Sequence, residues 1–271
     1  MAGLSQKEVC FVLKSIPFKE RDLIAVLFSE HKGKLTAIAR NGRQSRRFGG
    51  SLDFFTASEF ELDIQSFKMS EFGEDSIVHM NAAFMKHSFS NLSKSIQKLS
   101  CASCLNELIL RAVPAHKAVP DLFKLYSNAL AAIDESPEDQ SVAILNAFIL
   151  KLSQWLGVQP ALTRCQVCEK PLNEVSGEEV YPQFQSGGWT CLECTKQEDR
   201  KLNRPLLSKA LILDAYHSML NPIRKIEWQA HPQEHFVLLD FLEQHLIYFV
   251  PGLDRAPLSS IKFLKSIQWP E

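Results

Sequence analysis

No stretch of this 271-residue chain approaches the roughly 20 consecutive apolar residues that cross a bilayer, and Met1 to Glu8 contains no apolar signal region. A cytoplasmic protein is the expectation. Charge of one sign is also missing: 30 Lys and Arg stand against 31 Asp and Glu, a net of -1, which excludes a strongly basic protein but not a local basic surface. There is no Walker phosphate loop, no Gly-x-Ser-x-Gly elbow and no dinucleotide fingerprint, so nothing points to an enzyme. Internal repeats and low-complexity tracts are absent. Cysteine is sparse and odd in number, at seven, which fits a reducing compartment better than a disulfide framework.

Four of those seven cysteines carry a pattern. Cys165 and Cys168 lie in Cys-Gln-Val-Cys, and Cys191 and Cys194 in Cys-Leu-Glu-Cys, with 22 residues between the pairs. A Cys-x-x-Cys turn aims two thiolates at one cation, and a second turn completes the tetrahedral shell that structural zinc prefers. The spacer suits a small hairpin: Val180, Tyr181 and Phe184 suggest strand, Gly187-Gly188 a turn, and Trp189 leads into the second pair. With four protein ligands the site has no open position, so it should hold structure together and perform no chemistry.

The chain is long enough for two or three cores. From Val9 to about Met80, Val, Ile, Phe and Thr dominate, with alternation clearest where Phe60, Leu62 and Ile64 are set against Glu59, Glu61 and Asp63. Similar runs at Val9 to Ile16, Leu23 to Ser29, Leu35 to Arg40 and Phe67 to Phe72 make five short strands, which predicts an OB-type β-barrel. After Met80 the apolar spacing becomes helical, at Ile96 to Val113, Val119 to Ile133, Val142 to Leu156, Leu206 to Leu220 and Glu234 to Phe249, the last apolar on most faces. The expected architecture is α+β and multidomain. Residues 1-80 form the barrel, 81-160 and 201-271 the two parts of a helical body, and 161-200 an inserted four-cysteine zinc module.

Between His31 and Leu52 stand six basic side chains, Lys32, Lys34, Arg40, Arg43, Arg46 and Arg47, and no acid. The glycine and polar residues of Arg40-Asn-Gly-Arg-Gln-Ser-Arg-Arg-Phe-Gly-Gly predict a mobile connection between strands. Arginines on such a loop suit a polyanion, and OB-type barrels bind single strands with aromatics that stack bases. Phe48, Phe54 and Phe55 are the nearby candidates, against the plainer reading of a solvated loop and core phenylalanines.

Two further motifs look catalytic. His231-Pro-Gln-Glu-His235 matches the His-x-x-Glu-His pattern of a zinc peptidase class, but Pro232 belongs in a first helical turn, and a third ligand would have to come from downstream glutamates such as Glu243 or Glu271. Cys101-Ala-Ser-Cys104 lies inside an amphipathic helical run instead of at a strand-to-helix junction, which predicts a core face and not a redox pair. A non-catalytic protein-protein adaptor with a structural zinc is the alternative to a nucleic-acid role.

In this order, barrel, helices and cysteine insertion resemble the bacterial recombination mediator RecO family over nearly the whole length. The likeness is most specific in Pro17-Phe-Lys-Glu-Arg-Asp-Leu-Ile-Ala-Val-Leu-Phe-Ser-Glu-His-Lys-Gly-Lys-Leu-Thr-Ala-Ile-Ala-Arg-Asn-Gly-Arg, then in Leu52-Asp-Phe-Phe and in the Cys-x2-Cys, Gly-Gly, Cys-x2-Cys order. The resemblance implies binding of single- and double-stranded DNA and annealing of complementary strands. It also implies assistance, with RecR, in loading RecA onto strands coated by single-stranded-DNA-binding protein, and a place at the nucleoid. On that basis Lys34, Arg40, Arg43, Arg46 and Arg47 are phosphate contacts and the four cysteines hold zinc. Asn41 is a departure, since the family usually has a small or basic residue near this position. Not every member keeps all the cysteines, which sets zinc apart from the activity.

Overall fold

The computed structural model describes residues 5–63, 77–197 and 205–269. They fall into two compact units, Met1–Leu130 and Ala131–Glu271.

The first unit begins with strands β1 (Ser5–Phe18), β2 (Asp22–Ser29), β3 (Gly33–Ala39), β4 (Thr56–Asp63) and β5 (Val78–Ser88). They run in the order β1-β2-β3-β5-β4, and β1 pairs with both β2 and β4, so the sheet returns on itself. The β3–β5 seam is short, with three parallel pairs from Ala37–Val78 to Ala39–Met80. This is the partly open barrel of OB type. The strand expected at Phe67 to Phe72, like Ile64, lies outside the described residues. The fifth described strand is β5, which runs to Ser88, past the boundary expected at residue 80 and into the stretch expected to belong to the helical body. Two register shifts against β4 break its alternation, and Ala82, Ala83 and Lys86 are helix formers by propensity.

Alternation explains why these residues close a barrel. In β4, Ser58, Phe60 and Leu62 point inward, while Glu59 and Glu61 face out, where Lys7 meets them at 3.1 and 3.8 Å. The barrel core gathers Cys10, Val12, Leu27, Leu35, Phe60 and Leu62, and each large side chain so buried stabilises the fold by about 1.5–3 kcal/mol. β1 is buried on both faces in its middle, because Phe11 points away from that core. Its ring meets Phe123 at 5.3 Å and Tyr126 at 5.1 Å, and Phe28 meets the same two rings at 5.5 and 5.8 Å. Those partners sit on helix α2 (Pro120–Glu135), which follows α1 (Ile96–Ala112). Ser95 caps α1 by accepting from the Lys98 N–H. The division between the units falls inside α2, so the compact unit holding the barrel includes α1 and most of α2.

The second unit is centred on α3 (Ser141–Trp155), which carries buried residues on every face, Val142, Ile144, Leu145, Phe148 and Ile149 among them. It packs against α5 (Lys209–Leu220) and α6 (Glu234–Phe249). Expected to be apolar on most faces, α6 buries one broad stripe and leaves Gln244 and Tyr248 exposed. A short α7 (Ser259–Ser266), with no counterpart in the sequence reading, buries Ile261 and Leu264. Between α3 and α5 comes a small sheet in the order β6-β8-β7-β9, from β6 (Ala161–Cys165), β7 (Glu179–Gln183), β8 (Gly188–Cys191) and β9 (Leu207–Ser208), with α4 (Leu192–Gln197) after β8. No described helix is long and apolar enough to cross a membrane.

Candidate nucleic-acid interface and metal centre

The basic segment after β3 differs from the mobile connection expected of it, because it is wound in successive turns and fastened at several points. Asn41 takes a left-handed conformation, φ 56°, tolerable for asparagine, and its N–H donates to Asp22 Oδ1 at 2.8 Å. The next residue must be small: a Cβ on Gly42 would stand 2.8 Å from Ala39 Cβ. Arg43 N–H donates to the Arg21 carbonyl at 3.1 Å, the Gln44 and Ser45 N–H groups converge on the Asn41 carbonyl, and Ala83 N–H donates to the Arg47 carbonyl at 3.1 Å. Phe48 then drives into the barrel core, where it is 2% exposed.

The six basic residues separate into three groups. Arg40, Arg43, Arg46 and Arg47 are exposed, Lys32 is half-buried, and Lys34 is buried. Lys34 points from β3 to α1, where its Nζ donates to the Leu110 carbonyl, and burial lowers its pKa to about 8. That position makes it a tether to the helix and sets it apart from the arginines. Arg47 is braced by its Nε bond to Ser45 Oγ at 3.2 Å and by its guanidinium lying 5.7 Å from the Phe48 ring centre. Arg43 Nη1 donates to the Glu20 carbonyl at 3.3 Å, and Arg47 Nη2 to the Arg40 carbonyl at 3.4 Å. These partners are neutral and leave the positive charge in place.

Beneath the loop opens a cleft of about 690 Å³, walled by Ser15 and Leu23 of the barrel and by Arg43, Arg46, Asp53 and Phe54 of the loop. Periodicity could not foresee it, because it depends on how the turns fold back over β1 and β2. Of the three candidate stacking rings, Phe48 and Phe55 are buried and Phe54 is 47% exposed.

The cysteines are brought together in the second unit. Cys165 ends β6, and the turn to Cys168 closes with the Glu169 N–H on the Cys165 carbonyl at 3.1 Å, Glu169 taking φ 59°. The expected hairpin is present as β7 and β8, with Gly187 at φ 73° in its turn. Gly188 must lack a side chain, since a Cβ there would stand 2.7 Å from the Ala161 carbonyl oxygen. Trp189, fully buried, locks β8 to β6 by donating Nε1–H to the Leu162 carbonyl at 2.8 Å. The second pair departs from the two-turn expectation, because Cys191 ends β8 and Cys194 sits in α4.

All four Sγ atoms lie within 4.8 Å of one another, and Cys168 and Cys191 Sγ are 3.8 Å apart. A tetrahedron with metal–sulfur bonds of about 2.3 Å has edges of about 3.8 Å, so the cluster fits a four-thiolate metal ion. Burial pushes the Cys165 thiol up, but N–H groups of Cys168, Cys191 and Val167 outweigh it and bring the pKa down to about 7. Cys191 N–H reaches that sulfur at 3.3 Å, the outer-shell support a thiolate ligand needs. Burial foremost, with the neighbouring cysteines, raises the Cys194 thiol, a cost that a cation at the centre would relieve.

The other two motifs are not brought to a site. Among the described residues, the four cysteines are the one group of three or more potential ligands close enough for a metal. His231 is exposed ahead of α6, its N–H bonded to Glu234 Oε1 at 3.2 Å, while His235 is buried with a ring nitrogen 3.8 Å from Asp214. Cys101 and Cys104 are fully buried in α1, as expected, and burial raises the Cys101 thiol.

An OB-type barrel under a basic cleft, joined to a helical unit with a four-thiol cluster, defines the class of α+β multidomain protein to which this chain belongs. Family comparison narrows it: the Recombination protein O N-terminal model matches residues 1–80 and the Recombination protein O C-terminal model residues 93–246. The chain belongs to the RecO family of DNA repair and recombination proteins. It is similar to the DNA repair protein RecO of Alkaliphilus metalliredigens (strain QYMF), 27% identical over 260 residues that cover 95% of this chain and 97% of that one. The protein of the same name from Syntrophus aciditrophicus (strain SB) is 31% identical over 185 residues, 68% of this chain and 67% of that one. That from Anaeromyxobacter sp. (strain K) is 30% identical over 192 residues, 70% and 71% of the two chains.

Proposed function

We propose that this protein is a DNA-binding recombination mediator that works without bond chemistry. Arg40, Arg43, Arg46 and Arg47 take the phosphates, with Lys32 at the margin, and Lys34 serves the fold. The observation that carries the reading is the gathering of four exposed arginines on one fastened loop of an OB-type barrel. Neutralising phosphates releases counterions and lets two like-charged strands approach while bound, so base pairing completes the annealing. Family membership supports action with RecR, on strands covered by single-stranded-DNA-binding protein, to assist the loading of RecA, and hence a place in the cytoplasm at the nucleoid.

The four cysteines hold zinc in this reading, because a set of four thiols at this spacing suits that ion best. When bound, the metal supplies cross-linking only, since every position of its shell is filled by protein. Cys165, Cys168, Cys191 and Cys194 fix β6, β8 and α4 to one another.

Fluorescence anisotropy with labelled single-stranded DNA at two salt concentrations tests the reading. Arg43→Glu, Arg46→Glu and Arg47→Glu together should weaken binding by orders of magnitude. They should also make the log–log salt dependence shallower by about 2, each single-strand phosphate contact being worth about 0.7. Unchanged affinity in a variant with an unchanged melting curve would leave the protein-protein adaptor as the better account.

A further inference from the structure

We propose that the cleft beneath the basic loop seats one unstacked nucleobase, with Phe54 as its stacking wall, so that the barrel distinguishes single-stranded from paired DNA. This rests on the reading that the loop arginines hold phosphates.

The loop turns one phenylalanine outward by a conformation that carries strain. Phe54 and Phe55 are adjacent, with ring centres 6.1 Å apart, yet Phe55 is buried and Phe54 is 47% exposed on the cleft. The reversal is made at Phe55, which has φ 58°, a left-handed conformation costly for a bulky side chain. It is held there from both sides: Phe89 N–H donates to the Phe55 carbonyl at 3.4 Å, and Thr56 Oγ1 donates to the Phe54 carbonyl at 3.5 Å. Residues that carry such strain cluster where a ligand is gripped.

The contents of the cleft favour a base over a phosphate. At about 690 Å³ it has the capacity of a small-molecule site. Arg43 and Arg46 stand on its wall, and so does an acidic residue, Asp53. An acid repels a phosphate, whereas it accepts hydrogen bonds from the amino group of a base. Phe54 and Leu23 supply apolar faces, and Ser15 and Ser45 further polar groups for a base edge. A base within a duplex is stacked above and below and has no face to offer, so the seat admits a base from a single strand. Arg43 and Arg46 are placed to hold the phosphates on either side of it.

The test measures single-strand and duplex affinity separately, with the full chain. Phe54→Ala should lower affinity for a single-stranded oligonucleotide about five- to 150-fold, the range for losing one stacked base, and leave duplex affinity and the single-strand salt slope as they were. Phe54→Trp should retain single-strand binding. A 2-aminopurine-labelled strand should change its emission on binding the parent and Phe54→Trp proteins and not on binding Phe54→Ala. Equal losses for single strand and duplex, or no loss for either while binding stays salt-dependent, would overturn the base seat and leave the phosphate reading standing. Salt-insensitive binding, or none, in the parent protein would overturn both.

Discussion

At the scale of single residues, burial decides what an ionisable side chain does. His235 is the clearest case, since burial lowers its pKa to about 4 although Asp214, 3.8 Å away, and Glu234 pull the other way. The folded chain therefore keeps this ring neutral down to about pH 4, whereas the unfolded chain protonates it below about pH 6.5. Between those values the unfolded state binds more protons, so the contribution is complete above pH 6.5 and is lost as pH falls. The slope is about 1.4 kcal/mol per pH unit and the full loss about 3 kcal/mol. Urea unfolding at several pH values should show His235→Gln with a flatter slope than the parent in this window; identical slopes would assign the dependence to other groups. Lys34 obeys the same logic. Sequence put it in the basic cluster because nothing local reveals that the Leu110 carbonyl of α1 and the segment after that helix, at Ala115 and His116, meet the start of β3. By contrast, the gathering of Cys165, Cys168, Cys191 and Cys194 was legible, because a four-thiol cluster made from two tight local pairs is written in spacing.

At the scale of elements, β1 and β2 could be read from their run of β-branched and aromatic residues even where alternation lapses, and β4 from alternation, whereas β5 offered neither signal. β4 alternates residue by residue, whereas β5 is interrupted by bulges and rich in helix formers, so its character comes from its partners β4 and β3. The basic loop was readable in charge but not in shape: sequence left Phe48, Phe54 and Phe55 open between stacking rings and core, and the folded barrel puts Phe48 in its core and Phe54 outside. Turn geometry is likewise a property of neighbours. Gly33 opens β3 with φ 68°, and a Cβ there would stand 2.0 Å from the Lys117 carbonyl oxygen, which belongs to backbone and cannot swing aside. Gly33→Ala thus combines a disfavoured left-handed conformation with a collision, and should cost about 2 kcal/mol or more and lower the melting temperature by roughly 5 °C or more. A melting temperature equal to that of the parent would mean that β3 can shift without loss, and with it the start of the loop that carries the arginines.

At the scale of the whole molecule, chemistry is divided between two compact units. The arginines, the cleft and Phe54 lie within Met1–Leu130, and the four cysteines within Ala131–Glu271. Each unit has its own core, the barrel interior in one and the surroundings of α3 in the other. A structural metal contributes folding energy where its ligands are, because an ordered thiolate cluster exists only in the folded state. Stripping the metal should therefore destabilise the second unit and spare the DNA affinity of the first. Metal analysis should find one zinc per chain, and Cys165→Ser or prolonged chelation should remove it and lower the temperature of a thermal transition. Single-strand affinity measured below that transition should remain close to that of the parent, since the arginines proposed to take the phosphates sit on a loop whose supports, Asp22, Phe48 and Ala83, all belong to the barrel unit. Loss of DNA binding in step with loss of zinc, in protein still folded by far-ultraviolet circular dichroism, would move the metal from scaffold into the binding machinery. A zinc-free protein as stable as the loaded one would show that hydrogen bonds and the buried Trp189 already suffice to hold β6 and β8 together.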